Sequence, residues 1–376
     1  MNFLVVCTDF PPRIGGISTY TKELATALAK RGRVTVLAPG ASHSASFDHA
    51  CPFAIIRTPR VPLLRVAAFF VYIPWLVRRY HIGAILHTVW ITALISHLWC
   101  RLMPVPYFIS VYASEILDDQ RNWRRRLKGY LKRWRQATFC RAKGIFPISK
   151  YTARIIMDFG IPEDKIQVIP CGVNPRRFMP AKSSKAAKGQ KKLLTVARLD
   201  LHKGHDRILE ALAILKEQGF SPRYLVVGEG EEEIRLRRMS QKLGLTEQVI
   251  FAGFIPENQL PKVYASADIF IMASREIPGR LDLIEGFGIS FLEASASGLP
   301  LIAGRSGGVS DAVRDGETGI LVNPNEPREI AEALRRLLND NDFASRLGNE
   351  GRKWTVTQMN WDSVAERLER GIQTLM

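Results

Sequence analysis

Twice along this chain, short apolar runs rich in Val, Ile, Leu and Phe alternate with helical patterns, and that alternation restricts the fold more than any other feature. A run that is apolar at consecutive positions must be covered on both faces, as in a parallel sheet layered between helices. The first series of runs occupies 3–8, 34–38, 54–58, 84–87, 107–111 and 144–148. Pro11, Pro12, Gly15 and Gly16 mark the turn after its first run, and a helix is expected over about 18–31. The second series occupies 193–197, 224–227, 249–252, 269–273 and 301–303, with helices expected near 207–218, 232–243, 291–297, 327–339 and 361–375. Between the two, 181–192 is a tract of Lys, Ser, Ala, Gly and Gln without apolar periodicity, the composition of an exposed connector. The expected fold class is therefore α/β, two Rossmann-like domains facing each other across a cleft. The first covers 1–178, a linker covers 179–192, the second covers 193–359, and a last helix at about 360–376 is free to pack back on the first. Ligands of open α/β sheets bind beyond the carboxyl ends of the strands, which places the expected site in that cleft.

Two stretches invite a membrane-spanning interpretation and do not support it. Residues 61–77 contain Arg65 and Pro74 and are barely long enough to cross a bilayer, while 82–99 contain His87, Ser96 and His97 and fit a buried strand followed by a helix. The start lacks the basic and long apolar regions of an export signal, and the five cysteines are scattered with no C-x-x-C pair, so a reducing, cytoplasmic setting is expected.

Charge is divided unequally. Residues 1–180 hold 26 Lys and Arg against 9 Asp and Glu, the whole net charge of +17, whereas 181–376 hold 27 of each sign. One strongly basic half faces something anionic, either phospholipid headgroups or nucleic acid. The excess is densest at 121–143, with ten Lys or Arg and no acid, interleaved with Trp123, Leu127, Tyr130, Leu131 and Trp134. Aromatic and apolar residues among cations suit a helix lying in anionic headgroups, and Arg124, Arg125, Arg126, Lys132 and Arg133 are its expected membrane-facing residues. The stretch 61–77, with arginines around it, is a second candidate contact.

The most distinctive segment is Glu285-Gly286-Phe287-Gly288-Ile289-Ser290-Phe291-Leu292-Glu293. Its glycines oppose helix and the residues after them favour one, so Glu285 should stand in a loop and Glu293 one turn inside a helix. The glycines admit close approach of a ligand, and the free amides of the helix start suit an anion. Two surface glutamates flanking a flexible turn would give the same letters. Arg198 and Lys203 follow the first strand of the second domain, where a planar fork and a point charge could neutralise a diphosphate from two directions. Gly228-Glu229-Gly230 and Gly307-Gly308 are further close-approach turns, each weak alone.

Taken in order, Pro11-Pro12 with Gly15-Gly16, Arg198 with Lys203-Gly204, Gly228-Glu229-Gly230, Glu285 with Glu293, and Gly307-Gly308 resemble glycosyltransferase family 4, retaining nucleotide-sugar transferases of GT-B fold. The tract 275–300 resembles the bacterial phosphatidylinositol mannosyltransferase type. The resemblance implies that Arg198 and Lys203 clamp the donor diphosphate, that Glu293 accepts from the ribose hydroxyls and that Glu285 binds the transferred sugar, with Arg198, Lys203 and Glu285 forming the catalytic group. It implies that Gly286, Phe287, Gly288 and Ile289 line sugar and phosphate, that Gly228, Glu229, Gly230, Phe254 and Ile255 surround the base, and that Gly15 and Gly16 approach the diphosphate. Where the family commonly has His-Gly this chain has Tyr112-Ala113, leaving Tyr112 and Ser114 as acceptor-side candidates.

The resulting expectation is transfer of a hexose from GDP-mannose or a UDP-hexose to a lipid-linked or polysaccharide acceptor, with retention, at the inner face of the cell membrane. There is no D-x-D and no His/Cys ligand cluster, so neither a metal nor a cofactor is expected. A noncatalytic membrane-surface adaptor would account for the missing histidine, and a nucleic-acid-binding protein for the charge. The cations and glutamates at 198, 203, 285 and 293 would then have no purpose.

Overall fold

A computed structural model describes residues 1–13, 15–42, 44–117, 125–181, 190–280 and 283–376, and within these the side chains of 62, 114, 115 and 125–131 are outside the description. The chain divides into two compact units, Met1–Cys171 with Trp361–Met376, and Gly172–Asn360.

In the first unit β1 (Asn2–Val6), α1 (Gly16–Ala29), β2 (Arg33–Ala38), α2 (Ala45–His49), β3 (Ala54–Arg57), α3 (Pro62–Tyr80) and β4 (Ala84–His87) are followed by α4 (Trp90–Trp99), β5 (Tyr107–Val111), α5 (Ala113–Leu117), α6 (Arg125–Arg141), β6 (Gly144–Pro147) and α7 (Lys150–Asp158). The six strands are parallel in the order β3-β2-β1-β4-β5-β6. Val5 stands opposite Val36 on one side and Leu86 on the other, both faces of β1 being buried as its unbroken apolar run requires. The stretch 82–99 is a strand followed by a helix, β4 and α4, and among the described residues no helix is long and apolar enough to cross a membrane.

The last helix, Trp361–Leu375, belongs to this unit, held against α1 by Lys30 with Asp362 at 2.6 Å and Arg31 with Glu369 at 2.7 Å. The ring of Trp361 meets that of Tyr20 edge-on at 5.5 Å. Residues 172–178, which the sequence assigned to the first domain, pack in the second unit: Val173 N donates to Met359 O at 2.9 Å, and Phe178 lies edge-on to Tyr264 at 5.5 Å.

The second unit contains β7 (Lys192–Val196), α8 (His205–Glu217), β8 (Arg223–Val227), α9 (Glu233–Lys242), β9 (Val249–Phe251), α10 (Leu260–Ala265) and β10 (Ile269–Met272), then α11 (Ile289–Ala296), β11 (Leu301–Gly304), α12 (Val309–Ala312), β12 (Gly319–Val322), α13 (Pro327–Asn339) and α14 (Asn341–Thr357). Its sheet is again six parallel strands, β12-β11-β10-β7-β8-β9. The order reverses between β7 and β10, the switch point beyond whose carboxyl ends open α/β sheets bind ligands. The core below it is Leu193, Ile208, Leu212, Tyr224, Ile271 and Ile302, all buried.

Candidate functional site

Four of the turns singled out in the sequence lie beyond the strand ends of the second unit. After β7 the chain passes Arg198, makes a short 3-10 turn at Leu201–Lys203 and enters α8 through Gly204, whose φ of +74 is the left-handed region. A Cβ at Gly204 would lie 1.9 Å from the carbonyl oxygen of Ala273, so only glycine lets the loop after β7 touch the loop after β10. The same two loops are tied by Arg275 N donating to His202 O at 2.8 Å, and by a forked pair in which both Arg275 terminal nitrogens donate to the Asp206 carboxylate at 2.8 Å. Both partners are buried. Burial alone would push the Asp206 carboxyl up, but Arg275, and then Arg235, hold it below its ordinary range.

Across this seam Lys203 and Glu285 meet. The ammonium lies 2.5 Å from Glu285 Oε2, and the two side chains are only 14% and 12% exposed. Burial opposes ionisation of Glu285, yet the Lys203 charge and its hydrogen bond, with a further one from the Phe287 amide, outweigh it and lower the carboxyl's pKa. His202, one residue before the cation, is almost wholly buried. Burial first and the Lys203 charge second bring its pKa down to about 3, so the ring beside the pair is neutral.

The turn at 306–309 fixes Glu285 from behind. Gly308 N donates to Glu285 O at 2.9 Å, and a Cβ at Gly307, where φ is +53, would lie 2.3 Å from the same oxygen. Gly288, φ +91, opens α11, no side chain caps that helix start, and Phe287 is buried beneath it while Gly286 and Ile289 are half-buried. One turn into α11, Glu293 Oε2 accepts from the hydroxyl of fully buried Tyr264 at 2.7 Å.

Arg198 is less confined, 73% exposed and 2.8 Å from Asp200 Oδ2. Its loop is zipped to the next: Leu199 N donates to Glu229 O at 3.0 Å, and Cβ atoms at Gly228 and Gly230 would lie 2.0 Å from Ala197 O and 2.4 Å from Leu199 O. Glu229 and Phe254 are exposed and Ile255 half-buried at the end of this ridge, where Gly228 N donates to Gly253 O at 2.8 Å. Tyr264, Asp206, Arg275 and His202 are members of the site that sequence reasoning did not single out. Their partners are remote in sequence, and only the segment 275–300 drew attention to one of them.

The remaining candidates lie in the first unit. Gly15 and Gly16 open α1 with no atom within 4 Å of where either Cβ would be, beside a recess of about 430 Å3 lined by Asp9, Arg13, Gly15, Ile17 and Ser18. Tyr112 follows β5, buried, its ring edge-on to Tyr20 at 5.4 Å. Ser114 lies on α5 with its side chain outside the described residues, as are Arg124 and the side chains of Arg125 and Arg126, while Lys132 and Arg133 are exposed on α6. Among the described residues no three of His, Cys, Asp and Glu converge as metal ligands would.

Residues 179–354 match the family described as Glycosyl transferases group 1, and 14–177 match Glycosyltransferase Family 4. The chain is 30% identical to a GDP-mannose-dependent alpha-(1-6)-phosphatidylinositol monomannoside mannosyltransferase of Mycobacterium tuberculosis, over 97% of this chain and 96% of that protein. It is 28% identical to a GDP-mannose-dependent monoacylated alpha-(1-6)-phosphatidylinositol monomannoside mannosyltransferase of Corynebacterium glutamicum, over 99% and 97%. Among solved structures it is similar to sucrose-phosphate synthase of Thermosynechococcus elongatus, with a TM-score of 0.81, 22% identity and coverage of 100% and 98%. HepE of Anabaena in complex with UDP gives 0.81 at 17% identity, both chains being covered entirely. At such identities the structural likeness speaks to the fold, which is GT-B.

Proposed function

The chain belongs to the glycosyltransferases of group 1 and family 4 and is a hexosyltransferase, and from that premise we propose that it transfers mannose from GDP-mannose to a hydroxyl of a lipid-linked acceptor, with retention at the anomeric carbon. The observation that carries this reading is the buried contact of Lys203 with Glu285 in a chain related along nearly its whole length to GDP-mannose-dependent enzymes.

The difficult step is departure of the nucleoside diphosphate. Lys203 bridges Glu285 and the incoming diphosphate, Arg198 swings from Asp200 to the phosphate oxygens, and the uncapped amides at the start of α11 face the same charge. Donors already in place when the leaving group becomes negative stabilise it without reorganisation. Glu285, kept ionised, accepts from hydroxyls of the transferred sugar and orients it, and Glu293 accepts from the ribose. Gly15 and Gly16, with no neighbour over their Cα atoms, admit the diphosphate closely, and the ridge of Glu229, Gly230, Phe254 and Ile255 borders the base. The acceptor oxygen forms its bond to the anomeric carbon on the face that the diphosphate leaves, the bond from that carbon to the diphosphate oxygen breaks, and this oxygen takes the acceptor's proton. Tyr112 and Ser114 are the acceptor-side candidates. Charge compensation by protein cations and amides makes the reaction independent of added metal.

The first unit carries most of the net charge of the chain, 26 Lys and Arg against 12 Asp and Glu, which fits work at an anionic membrane surface, at its cytoplasmic face. Turnover of GDP-mannose, UDP-glucose, UDP-N-acetylglucosamine and UDP-galactose in parallel, with and without chelator, tests the donor. Proton NMR of the product anomer tests retention. Preference for a UDP-hexose, a metal requirement or a β-linked product would each overturn the corresponding part.

A further inference from the structure

The outer face of α3 is apolar, the reverse of what a helix on a soluble domain presents. Its inner face is ordinary: Phe69, Ile73 and Leu76 are buried in the core of the first unit. On the solvent side Leu63, Leu64, Val66, Val71 and Trp75 are each exposed by half or more, Leu63 by 81%, and Phe70 by 41%. These positions recur at the spacings of one helix face. The face continues sideways: Trp99 Nε1 donates to Phe70 O at 3.0 Å, the Phe70 and Trp99 rings lie 5.0 Å apart, and Leu98 and Leu102 beyond them are exposed. Contiguous apolar surface of this kind on a soluble chain marks an interaction site.

Charge decides what covers it. Residues 49–114 contain six arginines and not one Asp or Glu. Arg57 is neutralised by Asp48 at 2.6 Å, but Arg78 and Arg79, exposed in the last turn of α3, have no carboxylate in their own stretch of chain. A second copy of this face would bring apolar surface without an anion for these arginines, whereas a bilayer of anionic lipid supplies acyl chains for the apolar face and phosphates for its cationic end. Trp75 and Tyr80, their rings 6.4 Å apart next to the arginines, are the residue types that settle at headgroup level.

We propose that α3 lies in the plane of an anionic bilayer with its outer apolar face among the acyl chains, so that insertion of this helix, rather than the cations of α6 alone, anchors the chain. The inference rests on the membrane-surface reading above and predicts a property that charge alone does not give, namely attachment that outlasts screening by salt.

Sedimentation with vesicles of phosphatidylglycerol and phosphatidylcholine, without donor or acceptor, tests it. The wild type should remain bound at about 1 M salt, where the Debye length is only about 3 Å. A variant combining Leu63→Ser, Val66→Ser, Val71→Ser and Trp75→Ser should lose about a hundredfold or more in vesicle affinity. It should still melt as a folded protein, because each replaced residue is exposed by half or more and lies outside the core. Lipids brominated on the acyl chains should quench a fluorescence component that is missing from Trp75→Phe. Complete release of the wild type at high salt, or equal binding by the quadruple variant, would overturn the inference, as would a wild type that ignores vesicles and dimerises where the variant stays monomeric. Donor turnover in the same preparations separates the two readings, since intact turnover with failed salt-resistant binding leaves the transferase reading standing, and the converse removes only that one.

Discussion

The hydroxyl of Tyr264 donates to Glu293 Oε2 at 2.7 Å and joins α10 to α11 across 29 residues of sequence. The tyrosine is fully buried, and burial together with the carboxylate beside it raises its pKa well above the usual value, so it remains a donor at any working pH. Its ring is packed between Phe178 and Phe270, at 5.5 and 5.9 Å. Tyr264 therefore fixes the orientation of Glu293.

If Glu293 holds the ribose, Glu293→Ala should weaken GDP by about tenfold or more, the loss of hydrogen bonds to a charged acceptor. Tyr264→Phe should weaken it less, through misorientation alone. Glu285→Ala should leave GDP affinity unchanged or improved, because it releases Lys203 to the diphosphate, while abolishing sugar transfer. Calorimetry with GDP that gives equal losses for Glu285→Ala and Glu293→Ala would contradict the division of roles.

Removal of a preorganised cation from the leaving group should cost on the order of 2 to 4 kcal/mol of transition-state stabilisation. Lys203→Ala should therefore lose at least about a hundredfold in kcat. Arg198→Ala should lose activity with little effect on stability, because its side chain is mostly exposed and its ion pair with Asp200, at 2.8 Å, is open to solvent. Near-normal turnover in either variant would take that residue out of the clamp.

The sheets were legible because parallel strands buried on both faces leave unbroken apolar runs, and most of these match strands of the two units. Other elements were not, among them α7, α10, β12 and α14. The strand β12, Gly319–Val322, opens on a glycine directly after Asp315-Gly316-Glu317-Thr318, so the segment reads as turn. Helix α14 carries Gly348 and Gly351, which read as breaks but serve close packing: a Cβ at Gly348 would lie 2.2 Å from Gly298 O, and one at Gly351 3.2 Å from Ser295 Oγ. Arg198, Lys203 and Gly228-Glu229-Gly230 were visible because they follow the ends of β7 and β8, and Glu285 because glycines follow it, whereas Glu293, one turn inside α11, was marked only by its spacing from Glu285. Tyr264, Asp206 and Arg275 were not visible, since their roles are pairings over 29 and 69 residues for which the sequence carries no local signal.

Gly204 should tolerate no side chain. Its φ of +74 disfavours L-residues, and a Cβ would lie 1.9 Å from Ala273 O, a backbone atom that cannot rotate away. Gly204→Ala should destabilise by roughly 2 kcal/mol or more and separate Lys203 from Glu285. Gly219→Ala is the control, with φ +85 but nothing within 4 Å of its Cβ, and should cost about 1 kcal/mol and no activity. Equal effects of the two on melting and turnover would show that the contact with Ala273 is unimportant.

Three buried histidines make stability fall with acid well above the carboxylate range. Burial, the largest cause in each, lowers His87 and His202 to about 3 and His205 to about 4. The first is held neutral between Thr92 and Ser96 at 3.0 and 2.9 Å, and His205 lies 3.4 Å from the Tyr224 hydroxyl. In the unfolded chain each titrates near about 6.5, so below that pH the unfolded state binds protons that the folded state refuses. Their contribution is complete above about pH 6.5 and is lost as pH falls from there towards the folded values, at about 1.4 kcal/mol per unit for each ring. Glu285 and Asp206, held below their ordinary range by Lys203 and Arg275, add losses only at lower pH, where the carboxyls of the unfolded chain bind protons that the folded ones still refuse. Denaturant unfolding between about pH 7 and pH 5 should therefore report uptake of about three protons, and His87→Gln should reduce that number by one. A stability independent of pH across this window would mean that these rings are protonated in the folded protein.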